Sequence, residues 1–192
     1  MSTQRSSVGL TAHPACGELG AAGVVTVHVT ATSQALTLSY DLRSRVAIKI
    51  PGLRAERTSR CDELWLHTCC ELFTRDPEHA GPYLEFNFSP AGDWASYAFD
   101  DTLRGMRSVP WSDSIGPPTV KSTIAQVESD PFPYRLVVDL SIPRAVLGSQ
   151  SQLFPTVVLE TMGGTSFWAI WHPTDRPNFH HPDNFLRALE IT

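Results

Sequence analysis

Apolar and polar residues alternate with a period of two in one segment after another along this chain. In residues 23–31, for example, Val25, Val27 and Val29 occupy every second position and polar side chains lie between them. This period places successive side chains on opposite faces of a β-strand, whereas a helix requires a period of 3.6. The chain also contains 15 prolines and 12 glycines, which favour frequent chain reversals. The pattern predicts nine or ten strands, almost no helix, and an all-β, two-sheet antiparallel β-sandwich of jelly-roll type.

A closed barrel with an internal ligand is the alternative architecture. The 192 residues, of which 42% are hydrophobic and 18% charged, are sufficient for one folded domain of the larger all-β kind. We therefore expect a single domain over residues 1–192, with its core between about residue 23 and residue 191.

Charge and hydropathy exclude several classes of partner. The formal net charge is -5 and the 15 basic residues are scattered, so we expect no nucleic-acid partner. Apolar runs are too short for a membrane span, and the N-terminal residues lack the layout of a signal peptide. We expect a cytoplasmic protein with free cysteine thiols and no membrane partner. The oligomeric state is left open.

Three alternating segments, 64–73, 83–89 and 94–100, form the most informative part of the chain. Laid side by side as a meander, with Glu85 near Glu71 and Ser89 near Trp94, they predict one core face and one opposite face. The predicted core face carries Leu66, Leu72, Leu84, Phe86, Phe88, Tyr97 and Phe99. The opposite face carries Trp65, His67, Glu71, Glu85, Asn87, Trp94 and Ser96. Tryptophans combined with carboxylates and an amide are unusual on a solvated sheet face, so this face is a candidate ligand-binding surface.

The chemistry of this face favours a small polar ligand, with a saccharide as the first candidate. Tryptophan rings stack on the C–H patches of sugars, and carboxylate or amide groups bond to paired hydroxyls. Trp65 and Glu71 could supply both parts. As an alternative, Glu71 and Glu85 could act as an acid–base pair in a small enzyme acting on a sugar-like metabolite. No nucleophile motif such as G-x-S-x-G is present, so we expect no catalytic residues.

The C-terminal part adds three further candidate ligand contacts, Trp168, Trp171 and His172. In a regular strand, Trp168 and His172 share one side and Trp171 faces away, so which tryptophan faces the site is left open. The polar loop that follows contains His180 and His181. These histidines lack the spacing of an established metal site, so we expect a loop held by hydrogen bonds and no bound metal.

Three stretches resemble bacterial DOMON-like proteins: 62–73 (DELWLHTCCELF), 83–94 (YLEFNFSPAGDW), and 167–173 (FWAIWHP) with the later 179–181 (FHH). That group is similar to carbohydrate-binding module family 9 and to haem- or sugar-binding DOMON domains. The resemblance covers about residues 25–190. It implies a β-sandwich with a ligand site on one sheet.

The resemblance also implies roles for particular residues. In family 9 modules, a tryptophan six residues before a strand glutamate stacks on the sugar and the glutamate bonds its hydroxyls; Trp65 and Glu71 match this spacing. Haem-binding relatives use a methionine with a histidine or lysine. For haem b as the alternative ligand, the resemblance therefore implies Met106 paired with His172 or with Lys121.

Overall fold

The computed structural model describes residues 3–50, 52, 59–79, 81–109, 111 and 115–191. The strands in this part of the chain are β1 (Gln4–Ala12), β2 (Gly23–Ala31), β3 (Ala35–Ser44), β4 (Cys69–Arg75), β5 (Tyr83–Phe88), β6 (Trp94–Phe99), β7 (Arg107–Ser108), β8 (Thr119–Gln126), β9 (Tyr134–Pro143), β10 (Gln152–Thr161), β11 (Gly164–Ala169) and β12 (Leu189–Glu190). The helices are α1 (Glu18–Ala21), α2 (Arg144–Leu147) and three 3-10 turns at Pro14–Cys16, Leu64–Leu66 and Pro182–Arg187. No helix among the described residues has the length and apolar character needed to cross a membrane.

The strands form two antiparallel sheets, which confirms the predicted all-β fold. The first sheet has the order β1-β2-β3-β9-β8, and the second has the order β7-β6-β5-β4-β10-β11, with β12 also paired to β10. Strand β1 belongs to both sheets, because Gln4–Leu10 pair with β2 while Thr11 and Ala12 pair with β11. The predicted core began near residue 23 and left out this strand, whose residues mostly alternate between half-buried and exposed.

The inner faces of the two sheets enclose the main hydrophobic core. Alternation along the strands places Val27 of β2, Leu38 of β3 and Val138 of β9 against Leu72 of β4 and Phe86 of β5, all fully buried. A hydrogen bond also crosses this core. The hydroxyl of Tyr40, on β3, donates to the backbone oxygen of Glu71, on β4, at 2.7 Å. The two layers are therefore joined by packing, by a shared strand and by a buried hydrogen bond.

The outer face of the second sheet carries a second apolar cluster. Its buried members include Phe73, Tyr83, Tyr97, Phe99 and Phe154. This corrects the prediction that Tyr97 and Phe99 belong to the main core. The residues that accompany Glu71 and Glu85 on their face are consequently more aromatic than the sequence analysis indicated.

The correction arises from the turn between β5 and β6. Ser89 donates its N–H to the backbone oxygen of Asp93, and Phe88 pairs with Trp94, so Glu85 lies opposite Tyr97. The predicted register differed by one residue, and a slip of one residue exchanges the two faces of a strand. Trp94 and Ser96 therefore face the main core rather than the predicted ligand surface.

The segment 64–73 is also different from the single strand that was predicted. Leu64–Leu66 form a 3-10 turn after Glu63, whose φ of 63° is left-handed, and the strand begins only at Cys69. Leu66 is 60% exposed and does not belong to the core. Ile48, in the segment that follows β3, makes one isolated bridge with Thr161 of β10.

Candidate ligand-binding cavity

A cavity of about 480 Å³ lies over the outer face of the second sheet. Strands β4, β5, β6, β10 and β11 form its floor, and three segments outside the sheet form its walls. The floor residues are Glu71, Glu85, Phe99, Val158 and Phe167. The wall residues are Trp65, Leu103, Met106, Pro177, Asn178, Phe179 and His180. Cavities of this size, mostly apolar with a few polar groups, are typical of small-molecule sites.

Glu71 presents an unpaired carboxylate oxygen at this floor. Its Oε2 accepts a hydrogen bond from Thr156 on the neighbouring strand β10, at 3.2 Å. Its Oε1 is buried and has no hydrogen-bond partner in the structure, although only 2% of the residue is exposed. Buried polar atoms are normally paired, so an orphaned oxygen on a carboxylate residue that lines a cavity indicates a place for a ligand group or water.

Glu85 lies on the same face and is oriented by Asn87. Asn87 pairs with Glu71 across β4 and β5, while Glu85 pairs with Phe73. The predicted register placed Glu85 opposite Glu71; the observed one is shifted by two residues, which preserves the face. Asn87 is fully buried, and its Nδ2 donates to Glu85 Oε1 at 2.6 Å. Asn87 therefore positions Glu85 from behind the cavity and does not line it.

His180 closes the cavity beside Glu85 and is held by Tyr83. Tyr83 Oη accepts from the backbone N–H of Leu103 at 3.3 Å and lies 2.8 Å from His180 Nδ1. Tyr83 and His180 share this hydrogen bond, and the other ring nitrogen, Nε2, is directed toward Glu85. That nitrogen lies 3.7 Å from Glu85 Oε2, which is too long for a hydrogen bond.

The floor of the cavity disfavours charge in the absence of a ligand. Burial raises the pKa of Glu71 well above its usual range, and the charge of Glu85 raises it further. Burial also raises the pKa of Glu85, against the opposing effect of the Asn87 hydrogen bond. Burial lowers the pKa of His180 to about 4, so the imidazole is neutral near pH 7. No lysine or arginine is among the residues that line the described cavity.

Trp65 forms one aromatic wall. Its ring lies edge-on to Tyr97, with 5.8 Å between ring centroids. Tyr97 is held in turn, since its hydroxyl donates to Asp62 and the guanidinium of Arg60 lies 5.7 Å from its ring centroid. Arg60 and Asp62 also form an ion pair at 2.7 Å. These contacts fix the wall although Trp65 is on a 3-10 turn and not, as predicted, on a strand.

The opposite wall, residues 177–180, is held in place by a buried amide. Asn184 is 1% exposed, and its Nδ2 donates to the backbone oxygens of Asn178 and Phe179 at 3.1 and 2.8 Å. Within the segment, the side-chain oxygen of Asn178 accepts from the backbone N–H of His180 at 3.0 Å. Asn184 therefore positions the loop without contacting the cavity.

Several predicted site residues lie away from the cavity. His67 contacts Glu160 at 3.0 Å on the surface. Trp94 and Trp168 are buried in the main core, where Trp168 Nε1 donates to Ser166. The ring of Trp171 packs under the guanidinium of Arg187. Of the predicted contacts, the structure gathers Trp65, Glu71 and Glu85 around the cavity, with Asn87 directly behind them.

The residues proposed for haem do not come together. Met106 lines the cavity, but the Nε2 of His172 donates to the backbone oxygen of Thr11 at 2.9 Å. Lys121 is on β8 in the first sheet, opposite Asp139 on β9. Neither pair, Met106 with His172 or Met106 with Lys121, is assembled on the described cavity. The residues present therefore do not fit a haem held by either pair.

Sequence reasoning grouped His180 with a hydrogen-bonded loop and missed its place on the cavity. The histidines of that region diverge: His172 bonds to Thr11, His180 to Tyr83, and His181 accepts from the N–H of Asp183. No group of three or more metal-ligating side chains is found in the described part of the chain. The available signal was the Phe179-His180 pair, an aromatic residue beside a titratable one in a proline-rich loop.

The comparisons with known proteins agree with this architecture. No family model matches the chain, and no curated protein matches it in sequence. The fold is similar to that of a crystal structure from Bacteroides uniformis ATCC 8492, described as a "putative carbohydrate-binding protein". The TM-score is 0.64 at 15% sequence identity, over 92% of this chain and 82% of the other. At this level of identity, the likeness shows that the two chains share an all-β fold.

Proposed function

We propose that the protein binds a small carbohydrate in the cavity over the second sheet. The observation that carries the proposal is the orphaned Oε1 of Glu71, a buried acceptor on a floor beside aromatic side chains. Sugars combine hydroxyl donors with C–H patches, and this cavity offers acceptors and ring faces in the same space. Trp65 would supply the stacking surface, and Glu71 and Glu85 the hydrogen bonds.

Three further considerations support this proposal. The cavity volume of about 480 Å³ is in the range of small-molecule sites and suits a ligand of one or two sugar rings. The structural neighbour from Bacteroides uniformis is described as a "putative carbohydrate-binding protein". The resemblance to DOMON-like proteins and family 9 modules also favours a sugar, with Trp65 and Glu71 as the contacts. We propose membership of the DOMON-like group on that basis.

Isothermal titration with a panel of mono- and disaccharides tests the proposal. We expect a dissociation constant between about micromolar and millimolar for at least one sugar. Replacing Trp65→Ala removes the stacking face and should weaken that binding about tenfold or more. Leu66→Ala is the matched control, because Leu66 is on the same 3-10 turn but is 60% exposed and absent from the lining. Absence of heat with every sugar, or equal affinity for wild type and Trp65→Ala, would contradict the proposal.

Acid–base chemistry on a sugar-like metabolite is the second candidate function. It is favoured by the pairing of Glu71 and Glu85 on one floor, because burial and mutual repulsion raise the pKa of such carboxyls and retain a proton for transfer. If the protein is an enzyme of this kind, the double variant Glu71→Gln, Glu85→Gln should lose turnover. Turnover that persists in the double variant would remove this assignment.

Haem b is the remaining alternative ligand, although the candidate ligand pairs do not come together. The absorption spectrum of the purified protein incubated with haemin tests it. A Soret band that shifts on binding and is lost in Met106→Ala would replace the carbohydrate proposal. We expect the spectrum of free haemin to be unchanged by the protein.

A further inference from the structure

We infer that the cavity selects a ligand carrying a positively charged amine, and that Glu71 and Glu85 together hold this ammonium group. The inference deepens the proposed function and rests on it for the sugar part of the ligand. It identifies the ligand class as amino sugars rather than neutral sugars. Three features of the cavity support it: its charge, the direction of its hydrogen bonds and its aromatic residues.

The described lining of the cavity carries no lysine or arginine. Glu71 has no salt-bridge partner in the described structure, and Glu85 faces only the imidazole of His180 at 3.7 Å. That imidazole is neutral near pH 7, because burial lowers its pKa to about 4. Two carboxyl groups buried side by side without a compensating charge cost free energy when ionised. A cationic ligand group would supply the missing charge.

The direction of the hydrogen bonds points the same way. Two donors beside the floor each bond to one oxygen of a carboxylate: Thr156 donates to Oε2 of Glu71, and Asn87 donates to Oε1 of Glu85. This leaves Oε1 of Glu71 and Oε2 of Glu85 without a hydrogen bond. Ionised carboxylates are pure acceptors and an ammonium group is a pure donor with three protons, so the two match without a competing lone pair.

The aromatic walls add an attraction for the same charge. Trp65 and Phe179 of the walls and Phe99 of the floor line the same cavity as the two carboxyls. The faces of aromatic rings attract cations where a ring is suitably placed. A neutral hydroxyl at the same place would gain hydrogen bonds but neither the charge pairing nor this attraction.

Proton release follows from the inference. An ammonium group stabilises the ionised carboxyls, so binding should expel the proton that burial and mutual repulsion retain on the pair. The other titratable groups that face this pair are His180, Tyr83 and Tyr97 beside Glu85, and Tyr40, Cys69 and Cys70 beside Glu71. The phenols and thiols have raised pKa values and stay neutral near pH 7, so release at that pH reports on the carboxyl pair.

The test uses matched probes that differ in charge and in the presence of a sugar ring. Glucosamine is compared with glucose and N-acetylglucosamine, and cyclohexylamine with cyclohexanol, by calorimetry near pH 7 in two buffers of different ionisation enthalpy. We expect each amine to bind about tenfold or more tightly than its neutral counterpart and to release a proton. The preference should disappear in Glu71→Gln and in Glu85→Gln. It should persist in Glu128→Gln, which changes an exposed carboxyl.

Each outcome decides between the two proposals. If glucose binds as tightly as glucosamine, the inference is overturned while carbohydrate binding stands. If cyclohexylamine is preferred over cyclohexanol but no sugar binds, the cation site stands and the carbohydrate proposal fails. Failure of both amines to bind, or an amine preference that survives in Glu71→Gln and Glu85→Gln, also overturns the inference. Should Glu71→Gln fail to fold, proton release by the wild type and the Glu85→Gln variant decide the question.

Discussion

At the scale of single residues, the carboxyl group of Glu71 concentrates the unusual chemistry of this molecule. It is buried, lacks a countercharge on the described lining and retains one oxygen without a partner. Such a group lowers stability whenever it must ionise, and proteins retain such groups chiefly at functional sites. Ionisation of this carboxyl group therefore lowers the free energy of unfolding of the protein.

This effect predicts a pH dependence of stability. In the unfolded chain a glutamate titrates near about pH 4.3. The folded-state pKa values of Glu71 and Glu85 are raised, so above that pH the unfolded state releases protons that the folded state keeps. The contribution of these two carboxyl groups to the free energy of unfolding is therefore fully present at low pH, and it decreases as the pH rises through their raised pKa values. In Glu71→Gln, Glu85→Gln, we expect this loss to be absent.

Chemical denaturation at about pH 5 and about pH 8 measures the effect. The free energy of unfolding of the double variant, relative to that of the wild type, should be higher at the upper pH than at the lower. The increase should reach up to about 1.4 kcal/mol per group and per unit of pKa shift. Glu128→Gln serves as the control and should follow the wild type. A difference between wild type and double variant that does not change with pH would contradict the assignment. His180 cancels in this comparison, because both proteins contain it.

At the scale of elements, alternation predicted strands well but failed where a turn sets the register. Residues 23–31 were predicted as a strand and are a strand in the structure, because long alternation fixes both the extent and the buried face. The turn at Ser89–Asp93 contains one residue more than the prediction allowed, which moved Tyr97 to the cavity side. The length of such a turn depends on backbone geometry, and composition does not reveal it.

The candidate site was predictable only in part for a related reason. Glu71, Glu85 and Asn87 were identified because strand alternation determines their face. Residues of the walls, such as Phe179 and His180, lie on irregular segments, where no period links sequence to direction. Trp65 was identified from an incorrect strand and reaches the cavity from a 3-10 turn. The carboxylates of the floor could thus be predicted from the sequence, whereas the residues of the walls mostly could not.

The loop that carries His180 depends on one amide, and this gives a prediction at the element scale. Asn184→Ala removes two hydrogen bonds to the loop backbone and should destabilise the protein by about 1 to 3 kcal/mol. Hydrogen exchange of residues 177–180 should increase more than that of β4. Asp175→Ala, an exposed position in the same loop region, is the control. Unchanged exchange in Asn184→Ala would show that other contacts hold the wall.

At the scale of the whole molecule, the hydroxyl of Tyr40 connects the two sheets directly behind the site. Tyr40→Phe keeps the ring in the core but removes the bond to the backbone oxygen of Glu71. We expect a loss of about 1 to 2 kcal/mol in the free energy of unfolding, measured by urea denaturation. Tyr134→Phe, at a half-buried tyrosine of β9, is the control and should change stability less. Equal effects of the two substitutions would contradict the assigned role of the bond.

Strand β1 has a mechanical consequence that concerns how such a molecule can diversify. Because β1 pairs with β2 over most of its length and with β11 at its end, one layer cannot shear past the other without breaking a ladder. The two sheets therefore act as one rigid scaffold. The walls of the cavity come from three short segments that are attached to these sheets: 64–66, 103–106 and 177–180. Exchange of these segments is expected to change the ligand preference, while the two sheets and the ability of the chain to fold are retained.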